Sequence, residues 1–164
     1  MTERNQARLI GHGAVIFFLG LMSGYLFAFR LLGEFRLWPM PWHFSLTLPS
    51  DERAWRAMHT GNILNGLMLI GGALCLPRVR LLPRAEAWVT WGLIVSGWGN
   101  FGFYLGAALG ATGRGLSVGP NRFGGGDLLS DLTFLVAFPG AILAPLAMLL
   151  IARGAFAAAK AARS

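Results

Sequence analysis

With 164 residues the chain is sized for one domain, yet 55% of it is apolar, 13% is charged and the mean hydropathy is +0.57, a composition that fits membrane spans and not a soluble globule. The net charge of +7 and pI near 11.3 come from arginines scattered between apolar runs, the pattern of membrane flanks and not of a nucleic-acid-binding face. Cys75 is the lone cysteine, which excludes an intrachain disulfide and every paired-cysteine metal motif.

The first apolar run covers residues 9–32, with Arg4 and Arg8 ahead of it and Arg30 at its far end. About twenty helical residues cross the hydrocarbon core. No small-residue cleavage site follows, so the run reads as a retained span and not a signal peptide. Gly20 and Gly24 form a small-xxx-small pair that admits a close helix neighbour. Residues 33–51 bring Pro39, Pro41 and Pro49 together with Trp38, Trp42, His43 and Phe44. The prolines preclude one continuous helix, and the aromatics place this loop against the headgroups. His43 reads as an interfacial loop residue.

The second span, 54–76, follows Ser50 as capping residue, with Asp51 and Glu52 at the positive helix end, and stops before Pro77. It opens on Arg56-Ala57-Met58-His59-Thr60-Gly61-Asn62-Ile63-Leu64-Asn65-Gly66. Unsatisfied polar groups are expensive in hydrocarbon, so these side chains are expected to face protein, a cavity or a ligand. At 100° per residue His59, Asn62, Ile63 and Gly66 share a face, with Asn65 toward its side. A short loop with Arg78, Arg80 and Arg84 leads to the third span, 87–109. There Ser96, Asn100 and Tyr104 recur every four residues on one face, while Gly92, Gly97, Gly99, Gly102 and Gly106 thin the helix.

Residues 110–126 are glycine-rich but lack the Lys-Ser/Thr pair of a phosphate loop, so a tight re-entrant or interfacial loop is expected. The fourth span, 128–152, carries Asp131 near its start and is expected to kink at Pro139 and Pro145. An alanine-rich tail with Lys160 and Arg163 follows. The elements predict an all-α integral membrane protein, a four-transmembrane-helix bundle forming a single domain. The side holding both termini has eight Lys or Arg and two acids, against six and five opposite. That bias puts both termini in the cytoplasm of a multi-pass inner-membrane protein.

His59 is suited to ligate haem iron or another metal, and Asn65, Asn100 and Tyr104 to hydrogen-bond a substrate. A histidine with no carboxylate nearby makes no hydrolytic triad, and there is no HExxH motif or histidine cluster. From the residues alone, a cofactor-using membrane enzyme, a small membrane transporter and a structural or assembly subunit all remain open.

The passage around His59 resembles the corresponding stretch of bacterial styrene oxide isomerases. So do Gly97-Trp98-Gly99-Asn100-Phe101-Gly102-Phe103-Tyr104-Leu105, Arg114-Gly115-Leu116-Ser117-Val118-Gly119-Pro120-Asn121-Arg122-Phe123-Gly124 and Gly11-His12-Gly13. The matches keep their order over roughly residues 8–152. This chain departs at Ser96, where the family pattern has an acidic residue. The resemblance implies four membrane helices, a homotrimer, and haem b between subunits. It makes His59 the axial iron ligand, with Asn65 and Tyr104 on the substrate side and Asn100 beside them. His12 is a candidate cofactor contact, although a second protein ligand would close the position that an epoxide needs.

The implied reaction turns an aryl epoxide such as styrene oxide into phenylacetaldehyde or the corresponding aldehyde, without net redox. Ferric haem would act as Lewis acid, with ring opening at the benzylic carbon and a 1,2-hydride shift. A styrene monooxygenase upstream and an aldehyde dehydrogenase downstream are the implied metabolic partners. A haem-binding electron-transfer or structural subunit, or a small transporter, is the alternative.

Overall fold

The computed structural model describes residues 1–162; Arg163, counted above with the basic residues of the terminal side, lies outside the described residues. Helix α1 (Glu3–Leu32) is capped by the Thr2 hydroxyl, which accepts from the Asn5 N–H, and closes on Gly33 at φ 70°. That left-handed turn costs glycine little, which is why it so often terminates a helix.

Helix α2 (Glu52–Cys75) is capped by Asp51, whose carboxylate accepts from the Ala54 N–H at 2.9 Å. Ser50, the expected cap, is instead turned out at φ 64°. Its carbonyl accepts from the Arg30 guanidinium at 3.2 Å, tying the far end of α1 to the start of α2. The carboxylate has the advantage in this competition, since its charge also meets the positive end of the helix. A 3-10 turn, Leu76–Arg78, finishes the run where Pro77 intervenes. Helix α3 (Pro83–Ala108) carries its proline in the first turn, where no N–H is missed.

Helix α4 (Leu128–Ala161) is capped by Asp127 and runs unbroken through Pro139 and Pro145. Each proline withholds one N–H from the ladder, and the helix continues regardless. The loops add two short ladders to the helical bundle. Strand β1 (Glu34–Arg36) pairs antiparallel with β2 (His43–Ser45), with the Phe35 and Phe44 rings stacked at 4.9 Å. Strand β3 (Pro120–Asn121) pairs with β4 (Gly124–Gly125). Proline and glycine rule out helix in these loops but leave short ladders possible. His43 is exposed in β2.

The helices pack as two antiparallel pairs, α1 with α2 and α3 with α4, and α3 also touches α1 and α2. Glycine sets how close they come. A Cβ on Gly66 would lie 2.6 Å from Phe17 Cβ, and one on Gly140 would lie 2.9 Å from the Ser96 Cα. Contacts this near the backbone are how helices associate where lipid removes the hydrophobic drive. Leu9, Ile16, Leu69, Leu93 and Ala147 fill the core near the end where α1 begins and α4 finishes. At that end Glu86 collects the Thr2 N–H, the Asn5 amide and the N-terminal ammonium. Burial alone would raise its pKa, but these donors outweigh it and hold the carboxyl below its ordinary value.

Among the described residues three helical stretches, Glu3–Leu32, Glu52–Arg78 and Leu128–Ala161, are long and apolar enough to cross a membrane. The chain is therefore a helical bundle of multi-span membrane type. In α3, Asn100, Tyr104, three tryptophans and five glycines dilute the hydropathy, as suits the helix that touches all the others.

Candidate functional site

On α2 the polar residues divide between two neighbours. His59 and Asn62 face α1: the His59 ring rests on Gly24, where a Cβ would stand 2.7 Å from its Cε1, and Asn62 lies against Gly20. His59 Nδ1 is 2.8 Å from the Gly20 carbonyl. A carbonyl only accepts, so Nδ1 carries the proton, and the neutral ring keeps its lone pair on Nε2. This is the tautomer an N–H···O=C bond imposes on a metal-binding histidine.

Gly61 and Asn65 face α3. The Asn100 amide donates to the Asn65 carbonyl oxygen at 3.0 Å. Asn65 Nδ2 is then a buried donor with no partner; on Asn62 the donor Nδ2 and the acceptor Oδ1 are likewise both unpaired. An orphaned buried polar group costs about 1–3 kcal/mol, so each marks a place where a bound group would be favoured. Tyr104 packs over Gly61 so closely that an added Cβ would clash with the Cε2 edge of its ring and stand 2.9 Å from its hydroxyl oxygen. A cavity of about 590 Å³ opens beside Tyr104, with Phe103, Ala57 and Leu116 on its apolar wall and Arg53, Arg114 and Thr112 at its rim. That size is typical of a small-molecule pocket. Below the rim, the Thr112 hydroxyl and then the Ser130 N–H hold the Asp127 carboxyl below its usual range.

The polar stripe expected on α3 splits. Steps of four drift 40° each, or 80° over eight residues, which is enough to turn Ser96 toward α4. Its hydroxyl lies 2.6 Å from the Gly92 carbonyl and 3.0 Å from that of Gly140 on α4. It cross-links helices and stays out of the Asn100–Tyr104 cluster. His12 is likewise apart from His59: Trp98 Nε1 donates to its Nδ1 at 3.1 Å. His59 meets α1 at Gly20 and Gly24, eight and twelve residues beyond His12. At 1.5 Å per residue that is about 12–18 Å along the axis, so the two histidines of one chain do not converge.

His59 and Tyr104 are not brought together within one chain either. Gly61, which carries Tyr104, is two residues and therefore about 200° around α2 from His59. Gly61 as the seat of Tyr104 and Gly20 as the partner of His59 escaped the sequence reading. Their signal was the presence of glycine at helix positions facing bulky rings. Among the described residues no three His, Cys, Asp or Glu gather as a metal cluster.

Replacing Gly61 by Ala is expected to push Tyr104 from its seat. Overpacking of this kind costs about 1–3 kcal/mol. Any activity that draws on Tyr104 should fall by about tenfold or more, with any property that depends on His59 unchanged, because His59 projects from the opposite side. Equal activity in Gly61→Ala would show that the ring position is immaterial.

A family model described as styrene oxide isomerase matches residues 5–156. A styrene-oxide isomerase of Pseudomonas fluorescens is 31% identical over 144 residues, covering 88% of this chain and 84% of the relative.

Proposed function

The chain belongs to the styrene oxide isomerase family and is an isomerase acting on epoxides, and from that premise we propose that it converts styrene oxide or a related aryl epoxide to the aldehyde through haem b held by His59. The observation that carries this reading is the seam between α2 and α3. There Asn65 is oriented by Asn100, its amide nitrogen is left as a buried free donor, and Tyr104 stands one turn along beside an apolar-walled cavity.

The donor set fits the cofactor. A single histidine, fixed by the Gly20 carbonyl with Nε2 free, suits a metal that brings its other ligands with it, as haem does. Bound there as ferric haem, it would supply a Lewis acid for the epoxide oxygen. The rest falls to the protein. Tyr104 O–H and Asn65 N–H donate to the oxygen as negative charge grows on it, and Asn100 holds Asn65 in the donating orientation. Opening at the benzylic carbon leaves a cation spread into the aryl ring. Hydride then moves from the oxygen-bearing carbon to the benzylic one, and the carbon it leaves becomes the carbonyl. Phe103, Ala57 and Leu116 keep the cavity apolar, which withholds the water that would trap the cation as a diol.

Because His59 and Tyr104 lie on opposite sides of α2, a site drawing on both is completed by a neighbouring copy, which supports a homotrimer with haem between subunits. His12, bonded to Trp98, is assigned to holding α1 on α3 rather than to the iron. The four apolar runs are read as four spans, and the arginine bias supports cytoplasmic termini and the inner membrane as the site. The epoxide calls for an oxygenase acting on the alkene before it, and the aldehyde for a dehydrogenase after it.

The test is conversion of styrene oxide to phenylacetaldehyde by detergent-purified protein under anaerobic conditions without an electron donor. Turnover there is expected and is incompatible with an obligatory redox subunit. Absence of aldehyde from intact, ferric-haem-loaded protein would count against the reading.

A further inference from the structure

We propose that the groove between the start of α3 and the end of α4 binds an anionic glycerophospholipid, its phosphate held by Arg80 and Arg153 and one acyl chain laid along Leu150 and Trp88. The site is separate from the reaction centre and does not depend on the reading of that centre.

Two arginines share one cavity there. Arg80 and Arg153 line a space of about 280 Å³ together with Leu81, Leu82 and Leu150, and no acidic residue is among its walls. Ion pairs among the described residues join the N-terminal ammonium to Glu86 and Arg36 to Glu34, so neither cavity arginine has a carboxylate partner. Like charges this close repel, and a monoanion between them reverses the sign of the interaction.

The arrangement is built into the backbone. Arg80 N–H donates to the Gly154 carbonyl at 3.3 Å. A Cβ on Gly154 would stand 2.7 Å from the Arg80 carbonyl oxygen and 2.9 Å from Leu81 Cδ2. Only glycine lets the loop sit this tightly on α4, next to Arg153. The loop's position therefore keeps both arginines on the one cavity.

What distinguishes a lipid from a free phosphate is the second cavity. Leu150 also lines an adjoining apolar space of about 220 Å³, walled by Trp88, Leu143, Leu146 and Leu149. A phosphate alone would use the arginines and leave this groove in contact with bulk lipid. A diacyl phospholipid uses both at once. Arg84, with Trp88 and Trp91, borders the next cavity, and such tryptophan–arginine neighbours mark the headgroup level.

The experiment is native mass spectrometry of the full-length protein, delipidated in neutral detergent and titrated with dioleoylphosphatidylglycerol, dioleoylphosphatidylcholine or inorganic phosphate. Phosphatidylglycerol is expected to bind about tenfold or more tighter than phosphatidylcholine. R80Q should weaken it about fivefold and R80Q/R153Q about 25-fold, at the usual contribution of a basic residue near an anionic headgroup. R80K/R153K should retain most of the affinity, and it remains informative if the glutamine pair fails to fold. Detergent-phase isomerase activity should be unchanged in all three. Equal affinity for the two lipids, or undiminished phosphatidylglycerol binding in R80Q/R153Q, would overturn the site. Displacement of the lipid by inorganic phosphate at equal concentration would overturn the lipid as its occupant.

Discussion

His59→Ala is expected to leave a protein that inserts and assembles but lacks the strong Soret absorbance of a haem protein, with isomerisation down by more than about 100-fold. The ring is fixed on one nitrogen by the Gly20 carbonyl and lies against Gly24, so that its other nitrogen is the free base. Alanine removes that base while adding no bulk to the α1–α2 contact, so helix content should be preserved. Absorbance and activity recorded on the same sample give the check. A colourless wild-type protein with full activity would remove the cofactor from the proposal, and a coloured, inactive His59→Ala would move the ligand elsewhere.

Tyr104→Phe separates the same activity from the cofactor. The hydroxyl is proposed to meet charge that develops only as the epoxide opens, and losing such a donor costs about 2–4 kcal/mol, or roughly 30- to 1,000-fold in rate. Because Tyr104 seats on Gly61, on the side of α2 away from His59, the Soret band should remain. Normal turnover would take Tyr104 out of the chemistry while leaving the haem reading in place. Co-expression adds a sharper comparison. If each site takes His59 from one chain and Tyr104 from another, mixed assemblies of His59→Ala with Tyr104→Phe regain activity that neither variant has alone. Failure of the mixture, with mixed assembly verified by mass, would place both side chains in one subunit's site.

The outline of this fold was legible because hydrocarbon imposes strong rules: apolar runs of span length, broken by proline and arginine, became the helices. The detail lay where competing groups differ by little. Asp51 rather than Ser50 caps α2, a choice between adjacent oxygen acceptors that composition does not settle. Ser96 left the polar stripe because a repeat of four outruns the helical turn, and its hydroxyl found backbone on α4. Asn65, Asn100 and Tyr104, the residues proposed to bear the chemistry, stood out as polar groups in an apolar chain, and the structure brings them to one seam between α2 and α3. Their separation from His59 was hidden, since sequence gives angles around one helix but not which neighbour occupies each side. The cavity lining was less visible still: Arg53 lies about 60 residues before Thr112 and Arg114, and glycine-rich loops carry no periodicity to read.

The pairing of the four helices has a bearing on how the protein is made. Each antiparallel pair can enter the bilayer and complete its own backbone ladder before the other is present. The Asn100–Asn65 and Trp98–His12 bonds both cross from α3 to the first pair, so they close only when the pairs dock. Until then the Asn65 and Asn100 amides lack each other as partners in a medium where unpaired polar groups are costly. The same bond that orients Asn65 therefore also favours docking of the two helix pairs in this one register.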